Sequence, residues 1–401
     1  MTLALAVLTA LLAAVAAWLL SATAPLQSLE LKTYDLRFVL RGPQPAPPQV
    51  LLVLIDERTE KAIPEPRIFW HPHYVALLRA LAAGGARAVG LDIFFAMSVS
   101  PWLPDADREL AAAFSEVSLS VPIVLGFDTM QAGEQGLPLY VLASSQGAMG
   151  FTNLTVDGDG FIRRQQLQSS GADGAESFAA RLAALALGAE RGVADPGRRS
   201  VRFGSRTAPL DRSGFLLIHY WGPNRTFASV NLADVLAAGR QGDTAQLERW
   251  FRGKMVLIGE FFPPSDMHPT PFYLAAGQRW RATSGVELHA NTLATLLDQR
   301  YLREASRGVG LALVAGAAAL AALCVFGLRF PWAPLALLGG AAVYLAAAFR
   351  YQQSGLVLPV VPPLLALLLS GFGSYGIHAL TEGRQRRFLQ DVFGRYVSSE
   401  V

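Results

Sequence analysis

The sequence predicts an α/β domain, a mixed and largely parallel sheet with flanking helices, joined to four membrane-spanning α-helices. Three observations carry this. No Asp, Glu, Lys or Arg occurs before Glu30, between Arg307 and Arg329, between Arg329 and Arg350, or between Arg350 and Glu382, and about 20 apolar residues cross a bilayer. The segment between the first gap and the second alternates apolar runs of strand length with stretches of helical spacing. Finally, a 52% hydrophobic composition over 401 residues supplies the spans and still leaves a domain long enough to bury a core.

In chain order, residues 3–20 are almost wholly Ala, Leu and Val and read as an uncleaved anchor occupying 1–24. The rival reading is a signal peptide, since Ala22-Thr23-Ala24 has the form of a cleavage site, but a positive n-region is missing and the run is long. The anchor is expected to continue as a helical stalk through SLELKTYDLRFVLRG until Gly42 and Pro43, Pro45, Pro47 and Pro48 stop it. VLLVLI (50–55) reads as a buried strand, HYVALLRALAAGGA as a helix ending at Gly84-Gly85, and ARAVGLDIFF as a second strand. A helix over 106–114 and the strand VPIVLGF complete a βαβαβ pattern, the signature of a parallel sheet.

GAMGFTNLTVDGDGFIRRQQL predicts two strands around the turn Asp157-Gly158-Asp159-Gly160. SFAARLAALALG reads as an amphipathic helix, 190–212 as loop with a short strand at 200–204, FLLIHYWG and KMVLIGEFF as strands, and GVELHANTLATLLDQRYL as the last helix. Three more spans follow at 308–328, 330–349 and 356–378. The layout is thus an anchor, a domain over 25–306, a membrane block over 307–380 and a terminal segment over 381–401.

Charge sets the expected orientation. Arg384, Arg386 and Arg387 lie just past the last span, which marks that side as cytoplasmic and faces lipid headgroups. Four spans put both termini there, in the inner (plasma) membrane, with 25–306 outside. A net charge of +3 with no basic stripe bearing aromatics argues against nucleic acid. The sole cysteine, Cys324, falls in the second span, so the outer domain is expected to fold without disulfides. His378 is the one ionisable candidate near a span, too little for a transporter.

Three strand-like runs end in acids: Asp56 with Glu57, Asp92, and Glu260. Ligands of parallel sheets favour the carboxyl ends of strands, so these acids, with Asp266, His268, Trp70 and Asn153, are the candidate ligand pocket. The competing reading is that they cap helices and hold loops. His71 with His73, and Asp266 with His268, have ligand-like spacing but no third ligand, so no metal is expected. Gly371, Gly373 and Gly376 spell a dinucleotide motif inside a span, without the strand that such a motif requires. The turn acids lack the bidentate acid of a calcium loop. Beyond the last span, Phe388, Leu389, Val392, Phe393, Tyr396 and Val397 form an apolar stripe, read either as a parallel homodimer seam or as a face packed on a following domain. Ala336 with Gly340 and Ser370 with Ser374 permit close helix approach within the membrane.

LKTYDLRFVLRG, VLLVLIDERT, GGARAVGLDIFF, FTNLTVDGDGFIRR, GKMVLIGEFF with DMHPTPF, and SGVELHANTLATLL, in that order and followed by three spans, resemble the second type of CHASE domain. This is an extracellular sensory domain associated with cyclases and histidine kinases. RRFLQDVFGRYVSSEV is similar to the transducer segment preceding the catalytic domain of bacterial class III adenylate cyclases. The chain departs from the pattern at PEPRIFWHPHY, where a Trp-Pro-rich segment is usual, and at Ser399, often proline. The resemblance implies a sensor for an extracytoplasmic ligand or protein that regulates an adenylate cyclase following Val401. It places no catalytic residue or cofactor in this chain; ATP and the divalent metal, Mg or Mn, belong to the catalytic domain. A histidine-kinase sensor and a stand-alone envelope interaction module are the alternatives.

Overall fold

The computed structural model describes all residues except 1, 96, 130–147, 170–173, 264–265, 276–280, 330 and 398–401, with the backbone alone for 2–3 and 382–397. The chain divides into two compact units, residues 38–303 and residues 1–37 with 304–401.

The larger unit is built on six strands, β1 (Val50–Ile55), β2 (Ala88–Leu91), β3 (Ile123–Phe127), β4 (Met149–Phe151), β5 (Ser229–Asn231) and β6 (Met255–Glu260), in the order β5-β1-β6-β2-β3-β4 with every neighbouring pair parallel. Such a sheet buries both faces, which is why VLLVLI is apolar without alternation. Its residues nevertheless sort by parity: Leu51, Val53 and Ile55 enter one core, Val50, Leu52 and Leu54 the other. The first core is closed by α4 (His71–Ala83), α5 (Ala106–Ser118), α7 (Leu232–Gln241) and α8 (Thr244–Phe251), the second by α6 (Phe178–Ala186) and α9 (Gly285–Leu297). A short α3 (Glu57–Ala62) follows β1. Among the described residues the main sheet is therefore wholly parallel, and antiparallel pairing is confined to small pieces such as the meander Val193–Asp195, Ser200–Phe203 and Arg206–Pro209.

Two sequence expectations change here. The turn 157–160 forms, with the Gly160 N–H donating to the Asp157 carbonyl at 2.9 Å, but its flanks do not pair with each other. Met149–Phe151 joins the main sheet through β3, and Arg164–Gln165 pairs with Leu216–Leu217. The turn acids are used for charge instead: Asp157 and Asp159 clamp Arg163, 2% exposed, at 2.9 and 2.8 Å. FLLIHYWG is strand only at Leu216–Leu217; beyond it the backbone is irregular, with the Ile218 N–H donating to the Arg163 carbonyl and those of His219 and Trp221 to α9.

In the smaller unit, α1 (Thr2–Ser21) stops before α2 (Ala24–Arg41) instead of running on as one stalk. Pro25, lacking an N–H, fits the first turn of a new helix and cannot continue an old one. Helices α10 (Arg307–Gly327), α11 (Trp332–Gln353) and α12 (Val361–Val397) follow. Among the described residues, four segments, Ala4–Ser21, Arg307–Gly327, Trp332–Gln353 and Val361–Thr381, are long and apolar enough to cross a membrane. The last begins five residues later than expected, because Pro359, Pro362 and Pro363 confine the helix start to Val361. Ala13, Ala17, Val314, Ala318 and Ala366 pack together, and the Ser370 hydroxyl donates to the Ala318 carbonyl at 2.6 Å. Ser370 and Ser374 are both fully buried inside the chain's own bundle, so their small size serves packing within one copy.

Candidate functional site

β1, β6 and β2 are adjacent, with Ile55 opposite Glu260 and Ile258 opposite Leu91. The acids that end these strands therefore gather along one edge of the sheet. Their side chains then diverge. Asp56 is the N-cap of α3, accepting from the Arg58 and Thr59 N–H at 3.0 and 3.2 Å and from Asn231 Nδ2 at 2.6 Å. Glu57 points to solvent, 4.0 Å from Lys61. Glu260 pairs at 2.8 Å with Arg67, which also holds Glu60 and lies 4.0 Å above the Phe262 ring. Trp70 does not line a pocket: it is fully buried in the first core, its indole N–H donating to the Glu65 carbonyl at 2.7 Å. Asn153 turns away to Asp128 at 2.8 Å. His71 and His73 diverge as well, to Asp107 and Glu65 respectively.

Asp92 is the exception. Among the described residues, the partner of its carboxylate is the His289 ring, at 4.0 Å. His289 lies in the second turn of α9, 2% exposed, edge-on to Phe178 at 5.2 Å. Gly259 allows α9 this close, since a Cβ there would stand 2.6 Å from that of Val286. Asp266, with positive φ, accepts the Gly285 N–H at the start of α9 and pairs with His268 at 3.0 Å. Burial, reinforced by the charges of Asp266 and Glu260, pushes the Asp92 carboxyl up to about 7. Burial brings the His289 imidazole down to about 4, against the pull of Asp266 and alongside the push of His268. Near neutral pH this edge thus holds a neutral imidazole beside a carboxyl poised between its two forms. It can bind or release a proton, or meet a cationic or hydrogen-bonding ligand. Among the described residues, no three His, Cys, Asp or Glu side chains converge as a metal site.

His289 was not legible as a site residue. It sits in GVELHANTLATLL among apolar neighbours, and only the packing of α9 on the sheet brings it to Asp92. A parallel α/β unit with a polar cluster at the carboxyl edge of its sheet, in a chain that also carries helices long and apolar enough to cross a membrane, has the architecture in which ligands are recognised. Residues 9–328 match the CHASE2 domain, and the chain belongs to that family of sensory domains. Comparison with curated proteins and with solved structures finds no match.

Proposed function

We propose that this chain is the sensory and relay part of a membrane signalling protein. Residues 25–306 lie outside the cytoplasm, the four apolar helices cross the inner membrane, and α12 carries the signal to an attached cytoplasmic adenylate cyclase that makes cyclic AMP from ATP. The observation that carries the reading is the length of α12. Its apolar part, Val361–Thr381, is about one bilayer thick, yet the helix continues to Val397, roughly 24 Å further at its rise per residue. A shift or rotation at its outer end therefore reaches its inner end through one rigid element.

Membership of a sensory family supports the first half of the scheme. The Arg384, Arg386 and Arg387 cluster supports the orientation. The stripe from Phe388 to Val397 supports a homodimer seam, whose side chains lie outside the described residues. The partners in this reading are the bilayer, a second copy and an extracytoplasmic ligand or protein, with Asp92, His289 and Asp266 as the place where the stimulus acts. Mg or Mn and ATP belong to the cyclase.

The test is cyclic AMP production by membranes carrying the full reading frame that contains this chain. Val392→Glu and Tyr396→Glu, which set like charges across the seam, are expected to lower it on the order of tenfold or more. Unchanged output would end the relay reading. A wild-type protein making no cyclic AMP would turn the assignment to a histidine kinase or an envelope interaction module.

A further inference from the structure

Five consecutive residues at the head of α12 are each held by a separate contact. The Val357 carbonyl accepts the Ala305 N–H at 3.0 Å, the Leu358 carbonyl accepts from Arg37 at 3.2 Å, and the Pro359 carbonyl accepts from the Tyr344 hydroxyl. The Val360 N–H donates to both oxygens of Glu30 at 2.9 and 3.0 Å, and the Val361 N–H donates to one of them at 2.6 Å. These partners come from the lead into α10, from α2 and from α11, all within the smaller unit. Three parts of the bundle, all but α1, thus converge on the start of α12, which continues past the end of its apolar segment.

The sequence explains why the start needs such a collar. The first N–H groups of a helix have no intrahelical acceptor, and Pro362 and Pro363 have none to offer. The donors left over are those of Val360 and Val361, and Glu30 takes both. A carboxylate there is also favoured by the helix dipole. Arg37, 6% exposed, braces Glu30 at 4.0 Å. Burial pushes the Glu30 carboxyl up from its ordinary value, against the pull of the two N–H donors and Arg37. From Glu30, α2 runs on to Arg41 and is the covalent lead into residues 38–303.

We propose that this collar is the switch point of the relay: Glu30 on α2 holds the first turn of α12, and the stimulus acts by shifting or releasing that cap. The inference rests on the relay proposed above and names its regulated contact. Amide hydrogen exchange of the full chain in lipid nanodiscs tests it, reading residues 356–364, residues 382–397 and, as a folding control, residues 255–260.

In E30A, exchange over 356–364 is expected to rise on the order of tenfold, with a smaller rise in E30Q, a change over 382–397 and none over 255–260. An unchanged rate over 356–364 would overturn the proposal. A rise there with 382–397 unaltered would also overturn it, by reducing the collar to an anchor. Should E30A loosen 255–260 as well, the isosteric E30Q is read by the same criteria. No cyclic AMP enters this readout, so a silent cyclase assay would remove the effector assignment and leave the collar standing.

Discussion

Asp92 and His289 exchange a proton between the unfolded and the folded chain, and their pH dependences oppose each other. Asp92 moves from 3.8 to about 7 on folding, so the folded state binds the extra proton. Its contribution is full below pH 3.8 and is lost as pH rises toward 7. His289 moves from 6.5 to about 4, so its contribution is full above pH 6.5 and is lost as pH falls toward 4. Between these limits the two nearly cancel, and each single variant exposes the other. With Glu260, Asp266 and His268 left in place around the pair, the Tm advantage of wild type over Asp92→Asn is expected to shrink as pH rises from 4 to 7. The advantage over His289→Gln is expected to grow across the same range. Each slope is about 1.4 kcal/mol per pH unit, roughly 3–5 °C of Tm for a domain of this size. Parallel curves for the three proteins would refute both shifts. Of the two residues only Asp92 was legible, because an acid closing an apolar run marks the carboxyl end of a strand. Asp56 carried the same mark and proved to be a helix cap, as an N-terminal Asp often is.

At the scale of elements, α9 does more than cover the sheet. Glu287, Asn291 and Thr295, one helical turn apart, accept backbone N–H groups from a segment with no regular structure. Glu287 takes those of Arg225, Thr226 and Phe227 at 2.8, 2.8 and 3.3 Å, Asn291 that of Trp221 at 3.2 Å, and Thr295 that of His219 at 3.0 Å. At His219 and Trp221 this replaces the ladder that FLLIHYWG would have found in a sheet. Glu287→Ala leaves the buried Phe227 N–H and the part-buried Arg225 and Thr226 N–H groups without this acceptor and is expected to cost about 2 kcal/mol, lowering Tm by roughly 4–8 °C; an unaltered Tm would show that water replaces the carboxylate. GVELHANTLATLL was legible as a helix. What its polar side chains at i, i+4 and i+8 hold was not, since their partners lie about 60 to 75 residues away. Helices α7 and α8 escaped notice for a simpler reason. They are short: Leu232, Val235 and Leu236 in one and Leu247 with Phe251 in the other extend the apolar period over little more than one turn, and the clearer signals are the caps Asn231 and Asp243.

For the whole molecule, helix direction gives a consequence that a label can check. In the smaller unit, Glu30, Ala305, Val357 and Val361 meet at one end of the bundle, so the loop after α10 lies at the other. With Cys324 replaced by Ser, a cysteine at Ser354 is expected to react with a membrane-impermeant maleimide applied from outside, and one at Arg329 only after permeabilisation. Equal labelling of the two would break the proposed topology. The apolar helices, the strands β1, β2, β3 and β6 and the α/β class were determined by the sequence alone. Burial on both sides of a sheet, or in lipid, imposes a composition on contiguous residues, and composition is local. The strand order that places β6 between β1 and β2, the meeting of Asp92 with His289, and the hold of Glu30 on Val360 and Val361 were decided only by the tertiary structure. Each joins residues from about 165 to 330 positions apart, and no pattern within a short window encodes which distant partner a lone polar side chain will find.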